Sequence, residues 1–382
     1  MSGRSQTPIP CTLMRGGTSK GPFFLASDLP TDVQLRDRVL LAAMGSPDAR
    51  QIDGIGGADP LTSKAAIISR SSRPGIDVDY LFAQVAIEHP LVDVTPNCGN
   101  MLAAVGPFAV ERGLVRPIDP VTPVRIYMVN TGNIAVAHVP TPGGKVIYDG
   151  DTTIAGVPGT SSAIRIDFLN TAGSVCGALL PTGHSLDTVD GIEATLIDNG
   201  MPVVVLRAAD FGKSGYETPA ELDADKKFKQ RLEEIRLMAG ERMGLGDVCS
   251  KVVPKMTLIA AAQRGGDVAT RTFIPHKCHA AIGVLGAVTV GTACVLPGSV
   301  ASGIASVPEG TVNRLSVEHP SGEFSLEIEV DAKSDRELSV LRSSLIRTAR
   351  ALFRGEVLIP ARIWDGATSN LPATDAPMME HA

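Results

Sequence analysis

Aromatic side chains are scarce in this chain, since Phe, Trp and Tyr make up 4% of its 382 residues and there is a single Trp. The six cysteines include no C-x-x-C pair, and the polar start of the chain lacks the apolar segment of a signal peptide. Scattered thiols of this kind are typical of proteins in a reducing compartment. We therefore expect free cysteines and a cytoplasmic location.

The charge and hydropathy patterns predict neither a nucleic-acid-binding surface nor a membrane-spanning segment. The net charge is −6 and Lys and Arg do not cluster, so the sequence predicts no nucleic-acid surface. The one membrane-like run, residues 280–296, is uncharged but short for a membrane span and contains several glycines. It predicts a buried helix that is apolar on every side, and no membrane contact.

Several motifs that carry chemistry are also absent. There is no Walker loop, no G-x-G-x-x-G fingerprint and no G-x-S-x-G elbow, which removes the usual signals of a nucleotide site and of a serine hydrolase. His276, Cys278 and His279 are possible metal ligands, but no second ligand pair lies at a zinc-site spacing. We therefore expect no metal site.

The length of the chain predicts two domains, and its second half repeats the order of patterns in the first. In each half, a strand pair is followed by a helix, a strand that begins near a lysine, an apolar helix and a hairpin. We predict one domain over residues 1–185 and another over residues 186–382, each with a mixed sheet wrapped around its apolar helix. The N-termini of the two apolar helices would face each other across a cleft and bind an anion.

The first apolar helix begins at the sequence Asn97-Cys98-Gly99-Asn100. Asn97 suits the N-cap position, and Gly99 would let a ligand approach the backbone. The positive end of the helix dipole favours the thiolate form of Cys98. The alternative is that Cys98 is an inert small side chain packed at a buried helix start.

Lys64 interrupts an apolar strand at residues 61–68, so its amine must reach water, a partner or a site. A lysine that is desolvated near other cations can act as a base. The other candidates would bind the carboxylates of a small anionic substrate through side chains or helix N–H groups: Arg15, Ser19, Gly99, Asn100, Met101, Arg271, Lys277 and His279. The alternative for the basic members is a solvated surface charge.

These residues lie in motifs that resemble the 2-methylaconitate isomerase family, whose members have the diaminopimelate epimerase fold. The matching motifs are Met-Arg-Gly-Gly-Thr-Ser-Lys-Gly at 14–21, Gln-Ile-Asp-Gly-Ile-Gly-Gly at 51–57, Thr-Ser-Lys at 62–64 and Asn-Cys-Gly-Asn at 97–100. The resemblance covers nearly the whole chain. It implies an α+β fold of two pseudo-symmetric domains, each a mixed β-barrel around a central apolar helix. It also implies a homodimer, no cofactor, and a last strand near residues 358–364 that returns to the first domain.

The same resemblance implies that Lys64 and Cys98 are the catalytic acid–base pair, with either residue as the base. It adds Ser63 and Asn97 to the substrate-binding candidates, because both lie in the matching motifs. The epimerase proper uses a second cysteine in a Cys-Gly-Thr-Gly pattern, whereas Cys278 is followed here by His279. This difference favours a lysine–cysteine proton shuttle.

The resemblance thus implies an isomerase of aromatic-acid catabolism that moves a proton along the allylic system of an unsaturated oxo-tricarboxylate. One alternative is an isomerase of the same family that acts on a methyl-substituted tricarboxylate. Another is a non-catalytic protein that binds a tricarboxylate between its domains. Lys64 argues against the last alternative, because binding alone does not require a lysine with a suppressed charge.

Overall fold

The computed structural model describes residues 5–366, except for residues 96, 170, 308–309 and 335–336. This part of the chain has an α+β fold in which sixteen strands form one continuous sheet. Two portions of the sheet each wrap around one apolar helix.

The first portion of the sheet is a closed barrel. Its strands are β1 (Gln6–Gly16), β2 (Ser19–Leu25), β3 (Lys64–Arg70), β4 (Val78–Val85), β6 (Val121–Met128), β7 (Ile134–Pro140), β8 (Ala163–Leu169) and β16 (Glu337–Pro360). The short β5 (Val92–Asp93) pairs only with β4. Because β16 pairs with both β8 and β1, the ring is complete. Helix α2 (Gly99–Glu111) fills it, and every residue of this helix from Met101 to Val110 is buried.

The second portion repeats this arrangement around helix α5 (Val284–Val295). Its strands are β9 (Asp187–Val189), β10 (Ile192–Asp198), β11 (Pro202–Arg207), β12 (Lys255–Ala260), β13 (Val268–Phe273), β14 (Val312–His319), β15 (Gly322–Ser334) and part of β16. The parallel pair β11–β12 corresponds to β2–β3, and the parallel pair β13–β14 corresponds to β4–β6. The predicted repeat of strand order around two apolar helices is therefore confirmed.

Three further helices cover the outer faces of the sheet. Helix α1 (Val33–Met44) packs on the first barrel, while α3 (Pro219–Ala224) and α4 (Lys226–Arg242) pack on the second portion. Short 3-10 turns lie at Ala26–Asp28, Pro142–Gly144 and Ala208–Phe211. None of the helices in the described ranges is long and apolar enough to cross a membrane, and α5 is instead buried within its sheet.

Strand β16 belongs to both portions of the sheet. Its residues 337–345 pair with β15, residues 343–348 pair with β8, and residues 349–360 pair with β1. Leu358, where a last strand was expected to begin, lies opposite Pro8, and the pairing with β1 already starts at Ala349. A single strand therefore fixes the position of one portion of the sheet relative to the other.

The start of α5 differs from the sequence expectation. The helix was expected to begin at Ala280, with His276–His279 at its entrance, but its N-cap is Gly283. Residues 274–279 form a tight turn against β13 instead, since His279 N–H donates to the Thr272 carbonyl and Ile274 N–H donates to the Lys277 carbonyl. Cys278 consequently packs in the outer layer beside α3 and α4, away from the helix N-terminus.

Candidate active site

Lys64 and Cys98 meet at the mouth of the first barrel. Lys64 is the first residue of β3 and lies on the strand face that points into the barrel, as Ala66 and Ile68 do. Its Nζ atom lies 3.5 Å from Cys98 Sγ and 3.0 Å from Ser19 Oγ. The two residues are only 7% and 9% exposed. A basic amine, a thiol and a hydroxyl thus share one desolvated contact.

Two glycines allow the chain segments around this contact to approach each other. A Cβ atom at Gly21 of β2 would lie 1.9 Å from the Lys64 carbonyl oxygen, and one at Gly16 would lie 2.4 Å from the Asn100 carbonyl oxygen. Any larger residue at either position would push β3 or α2 away from the turn between β1 and β2. The glycines of the 14–21 motif therefore hold Ser19 next to Lys64.

The N-terminus of α2 lies directly beside the lysine. Cys98, and not Asn97 as expected, is the N-cap, because its carbonyl accepts the first intrahelical bond from Leu102 N–H. The Asn97 amide instead accepts a hydrogen bond from Cys98 N–H at 2.8 Å and contacts Met128 Sδ. The N–H groups of Gly99, Asn100 and Met101 precede that first intrahelical donor and point toward the helix end. They form a positive surface next to the thiol.

The small size of Gly99 serves a different purpose from the one expected. A Cβ atom there would lie 2.4 Å from Val284 Cγ2, at the first residue of α5. Gly99 thus makes room for the other apolar helix rather than for a ligand. The first residues of α2 and α5 are therefore in contact at this point, where a cleft between the two helix ends was predicted.

The other candidates of the first half divide into two groups. Arg15 donates to the Gly17 and Thr348 carbonyls and to Ser161 Oγ, and it lines a cavity of about 180 Å³ together with Ser19 and Lys20. This cavity adjoins the Lys64 contact through Ser19. Ser63 lies elsewhere, because its hydroxyl donates to the Val85 carbonyl and accepts from the Gln51 amide. Ser63 therefore secures the loop before β3.

The candidates of the second half are not gathered in one cavity. Arg271 is buried, donates to the Glu217 carbonyl, and lines a cavity of about 220 Å³. Lys277 and His279 are exposed and line another cavity of about 610 Å³ beside Cys278. In the described part of the chain, none of the three forms a hydrogen bond with Lys64, whose Nζ contacts Ser19 and Cys98.

The sequence reasoning missed two buried residues that both pack against Phe324. Arg347 of β16 is buried, and its Nε donates to Asn100 Oδ1 at 3.2 Å. His319, at the end of β14, is also buried and packs against Phe324, with ring centroids 5.2 Å apart. The guanidinium of Arg347 lies 4.0 Å from the centre of the same Phe324 ring. The sequence does contain one signal for Arg347, because its charge interrupts the largely buried strand segment 345–349.

His319 gives a testable dependence of stability on pH. Burial, followed by the charges of Arg347, Arg264, His279 and Arg271, lowers the pKa of His319 from 6.5 to about 4. The unfolded chain therefore binds a proton on this residue before the folded chain does. The free energy of unfolding should fall by about 3 kcal/mol from this group as the pH drops from 6.5 to 4.

Urea unfolding of wild type and His319→Gln at pH 7.5 and pH 4.5 measures this contribution. We expect the variant to lose less stability than the wild type over this range, since Gln does not titrate. The groups that the two proteins have in common cancel in the comparison. Equal losses in the two proteins would show that His319 is not held neutral.

The described residues contain no cluster of side chains that could bind a metal ion. Within them, no group of three or more His, Cys, Asp and Glu side chains is arranged to hold an ion. All six cysteines are free. The reactive groups at the mouth of the first barrel are the lysine and the thiol, beside the positive end of α2.

A known protein family matches this chain, in which a barrel encloses a helix with a lysine and a cysteine at its N-terminus. The chain belongs to the PrpF protein family, whose sequence model matches residues 6–360. A Pseudomonas putida protein named 4-oxalomesaconate tautomerase is 60% identical over 94% of this chain and 99% of its own length. A Novosphingobium protein named (4E)-oxalomesaconate Delta-isomerase is 57% identical over 93% of this chain and 99% of its own length.

A solved structure agrees with these relatives. The crystal structure of a methylitaconate-delta-isomerase has a TM-score of 0.81 and 34% identity, and the likeness covers 96% of this chain and 99% of that chain. The family resemblance and the diaminopimelate epimerase-like α+β fold are thus confirmed. The chain is an enzyme of the isomerase class, and its substrate is a separate question.

Proposed function

We propose that this protein is a cofactor-independent tautomerase that shifts an allylic proton in 4-oxalomesaconate. The observation that carries the proposal is the buried contact between Lys64 Nζ and Cys98 Sγ at 3.5 Å, at the positive end of α2. An acid–base pair next to unpaired N–H groups suits a reaction in which a proton leaves carbon and negative charge develops on oxygen.

In the proposed reaction, one member of the pair takes the proton from the allylic carbon. The electron pair of the broken C–H bond spreads over a dienolate, whose oxygen charge is stabilised by the N–H groups of Gly99, Asn100 and Met101. The protonated member, or its partner through the 3.5 Å contact, then returns a proton at the other end of the conjugated system. Ser19 Oγ, 3.0 Å from Lys64 Nζ, orients the amine.

Binding of the small anionic tricarboxylate would divide between the two halves of the chain. Arg15, with Ser19 in the adjoining cavity, is placed to receive one carboxylate. Arg271, Lys277 and His279 remain proposed contacts from the second half, and they require the substrate or the cleft to bring them together. Asn97 and Ser63 are proposed to act on the substrate only through the backbone they hold.

The proposed substrate is supported by the two relatives that share more than half of this sequence and carry oxalomesaconate in their names. A second candidate is a methyl-substituted acid, because the solved structure with a TM-score of 0.81 is named for methylitaconate. The two candidates share the same proton chemistry and differ in the number and position of the carboxylates.

Proton NMR in deuterated buffer tests the proposal. The purified enzyme would be incubated with 4-oxalomesaconate without added metal or nucleotide, next to a blank without enzyme. We expect deuterium at the allylic carbon and interconversion of the tautomers well above the blank. Exchange into methylitaconate or 2-methylaconitate alone would change the substrate. No exchange into any of the three would reject the proposed tautomerase activity.

We also propose that the enzyme is a cytoplasmic homodimer. The free cysteines support a reducing compartment, and the family resemblance supports the dimer. Light scattering of the purified protein and fractionation of the cells that produce it measure these two properties directly.

A further inference from the structure

Arg347 is a buried cation without a neutralising partner. It is 4% exposed, and among the described residues no carboxylate lies within 4.0 Å of its guanidinium. Its charge lies against the Phe324 ring, 4.0 Å from the ring centre. Burial lowers the pKa of Arg347 to about 9, which reflects how poorly its charge is solvated. A charge in such a place is unfavourable unless an anion joins it.

The acidic residues nearby are engaged with other groups. Glu323, the one carboxylate that acts on the charge of Arg347, accepts a hydrogen bond from Ser316 Oγ. Glu318 accepts from the backbone N–H groups of residues 263, 264 and 266. His319 stays neutral near pH 7, because its pKa is about 4. Among the described residues, Glu323 therefore offsets the charge of Arg347 only in part, from beyond ion-pair distance.

The guanidinium is directed at the N-terminus of α2. Its Nε donates to Asn100 Oδ1 at 3.2 Å, and Nη1 donates to the carbonyl of Ile346 at 2.9 Å. A guanidinium has five N–H donors, so three remain for another acceptor. The Asn100 amide also donates to Thr18 Oγ1 at 3.0 Å, which links Arg347 to the turn that holds Ser19.

We propose that Arg347 and the N–H groups at the start of α2 form a subsite for one substrate carboxylate, and that this subsite selects tricarboxylates over dicarboxylates. The helix end and the guanidinium would contact the same anion from two sides. The bound carboxylate would neutralise Arg347 and keep the substrate beside the Lys64–Cys98 contact. The choice of a tricarboxylate as ligand rests on the proposed function.

Calorimetric titration with unreactive acids tests the subsite without turnover. The probes are tricarballylate and glutarate, which share a three-carbon chain and differ by the central carboxylate. We expect the wild type to bind tricarballylate at least about tenfold more tightly than glutarate, the scale of a charge-assisted hydrogen bond. In Arg347→Met this difference should largely disappear, and Arg347→Lys should retain part of it.

Arg354→Met is the matched control, because it removes the same charge from an exposed position of the same strand, beside Glu111 at the far end of α2. It should bind both acids as the wild type does. Thermal unfolding separates a binding role from a structural one: Arg347→Met should leave the melting temperature of the ligand-free protein equal or higher, since a buried unpaired charge is gone. It should abolish the rise that tricarballylate causes.

Two results would overturn the proposal. One is equal affinity of the wild type for the two acids, and the other is an Arg347→Met protein that keeps the wild-type preference. If Arg347→Met does not fold, the titration of Arg347→Lys decides between the same outcomes. A wild type that fails the NMR assay but shows the preference would reject the tautomerase and leave the subsite standing.

Discussion

Replacement of Lys64 with methionine should lower kcat by about 10²–10⁴-fold, the range expected when a general acid or base is removed. Methionine keeps much of the aliphatic volume in the barrel interior but has no amine to exchange a proton. The fold should be retained, because Lys64 Nζ contacts only Ser19 Oγ and Cys98 Sγ among the hydrogen bonds of the described chain. Steady-state kinetics and circular dichroism measure the two quantities.

Lys255→Met is the matched control for this experiment. Lys255 is the first residue of β12, at the place in the second portion of the sheet that Lys64 has in the first. It is similarly buried, at 8% exposure, and burial together with the charge of Arg236 lowers its pKa to about 8. We expect Lys255→Met to keep its activity. Near-normal turnover of Lys64→Met, or an equal loss in both variants, would remove Lys64 from the mechanism.

Replacement of Cys98 with alanine should lower kcat on a similar scale of about 10²–10⁴-fold, since the thiol and the amine share one proton path. Residues that act as a unit give non-additive losses. The double variant Lys64→Met/Cys98→Ala should therefore be no slower than the worse single variant. Losses that multiply in the double variant would show that the two groups act in independent steps.

Cys278→Ala separates this mechanism from a two-cysteine mechanism. Cys278 packs against the outer helices, and burial raises its pKa to about 12, so it is a thiol at neutral pH. We expect the variant to keep its kcat and its exchange with solvent deuterium. A loss as large as that of Cys98→Ala would require Cys278 to reach the substrate, and would favour one cysteine from each half.

Lys64 and Cys98 were each singled out from the sequence for a physical reason, whereas their pairing was implied by the family resemblance. A lysine within an apolar strand and a cysteine at the start of an apolar helix are both unusual choices, so each marks a position under a chemical requirement. The order of strand and helix patterns also repeats along the chain, and this repeat predicts a pseudo-symmetric fold from the sequence alone. The sequence could not give the distance between Lys64 Nζ and Cys98 Sγ, because the two residues lie 34 positions apart.

The errors arose where local patterns were ambiguous. The apolar run at 280–296 led to a predicted start of α5 that is too early. Apolar residues continue through the turn before Gly283, and this N-cap residue has no side chain to signal the helix start. Asn97 was assigned as the N-cap although its amide binds the next residue's N–H. The sequence analysis missed Arg347 and His319 because their surroundings are formed by strands that are far apart in the sequence. No local motif surrounds them.

Strand β16 also determines when this protein can fold during synthesis. Most chains complete their N-terminal domain while the rest is still being made. Here β1 and β8 have exposed pairing edges until residues 343–360 have emerged from the ribosome, because only β16 joins them. The lysine and the cysteine are made early, but their barrel closes late. The nascent chain therefore carries two unpaired, aggregation-prone strand edges for most of its translation.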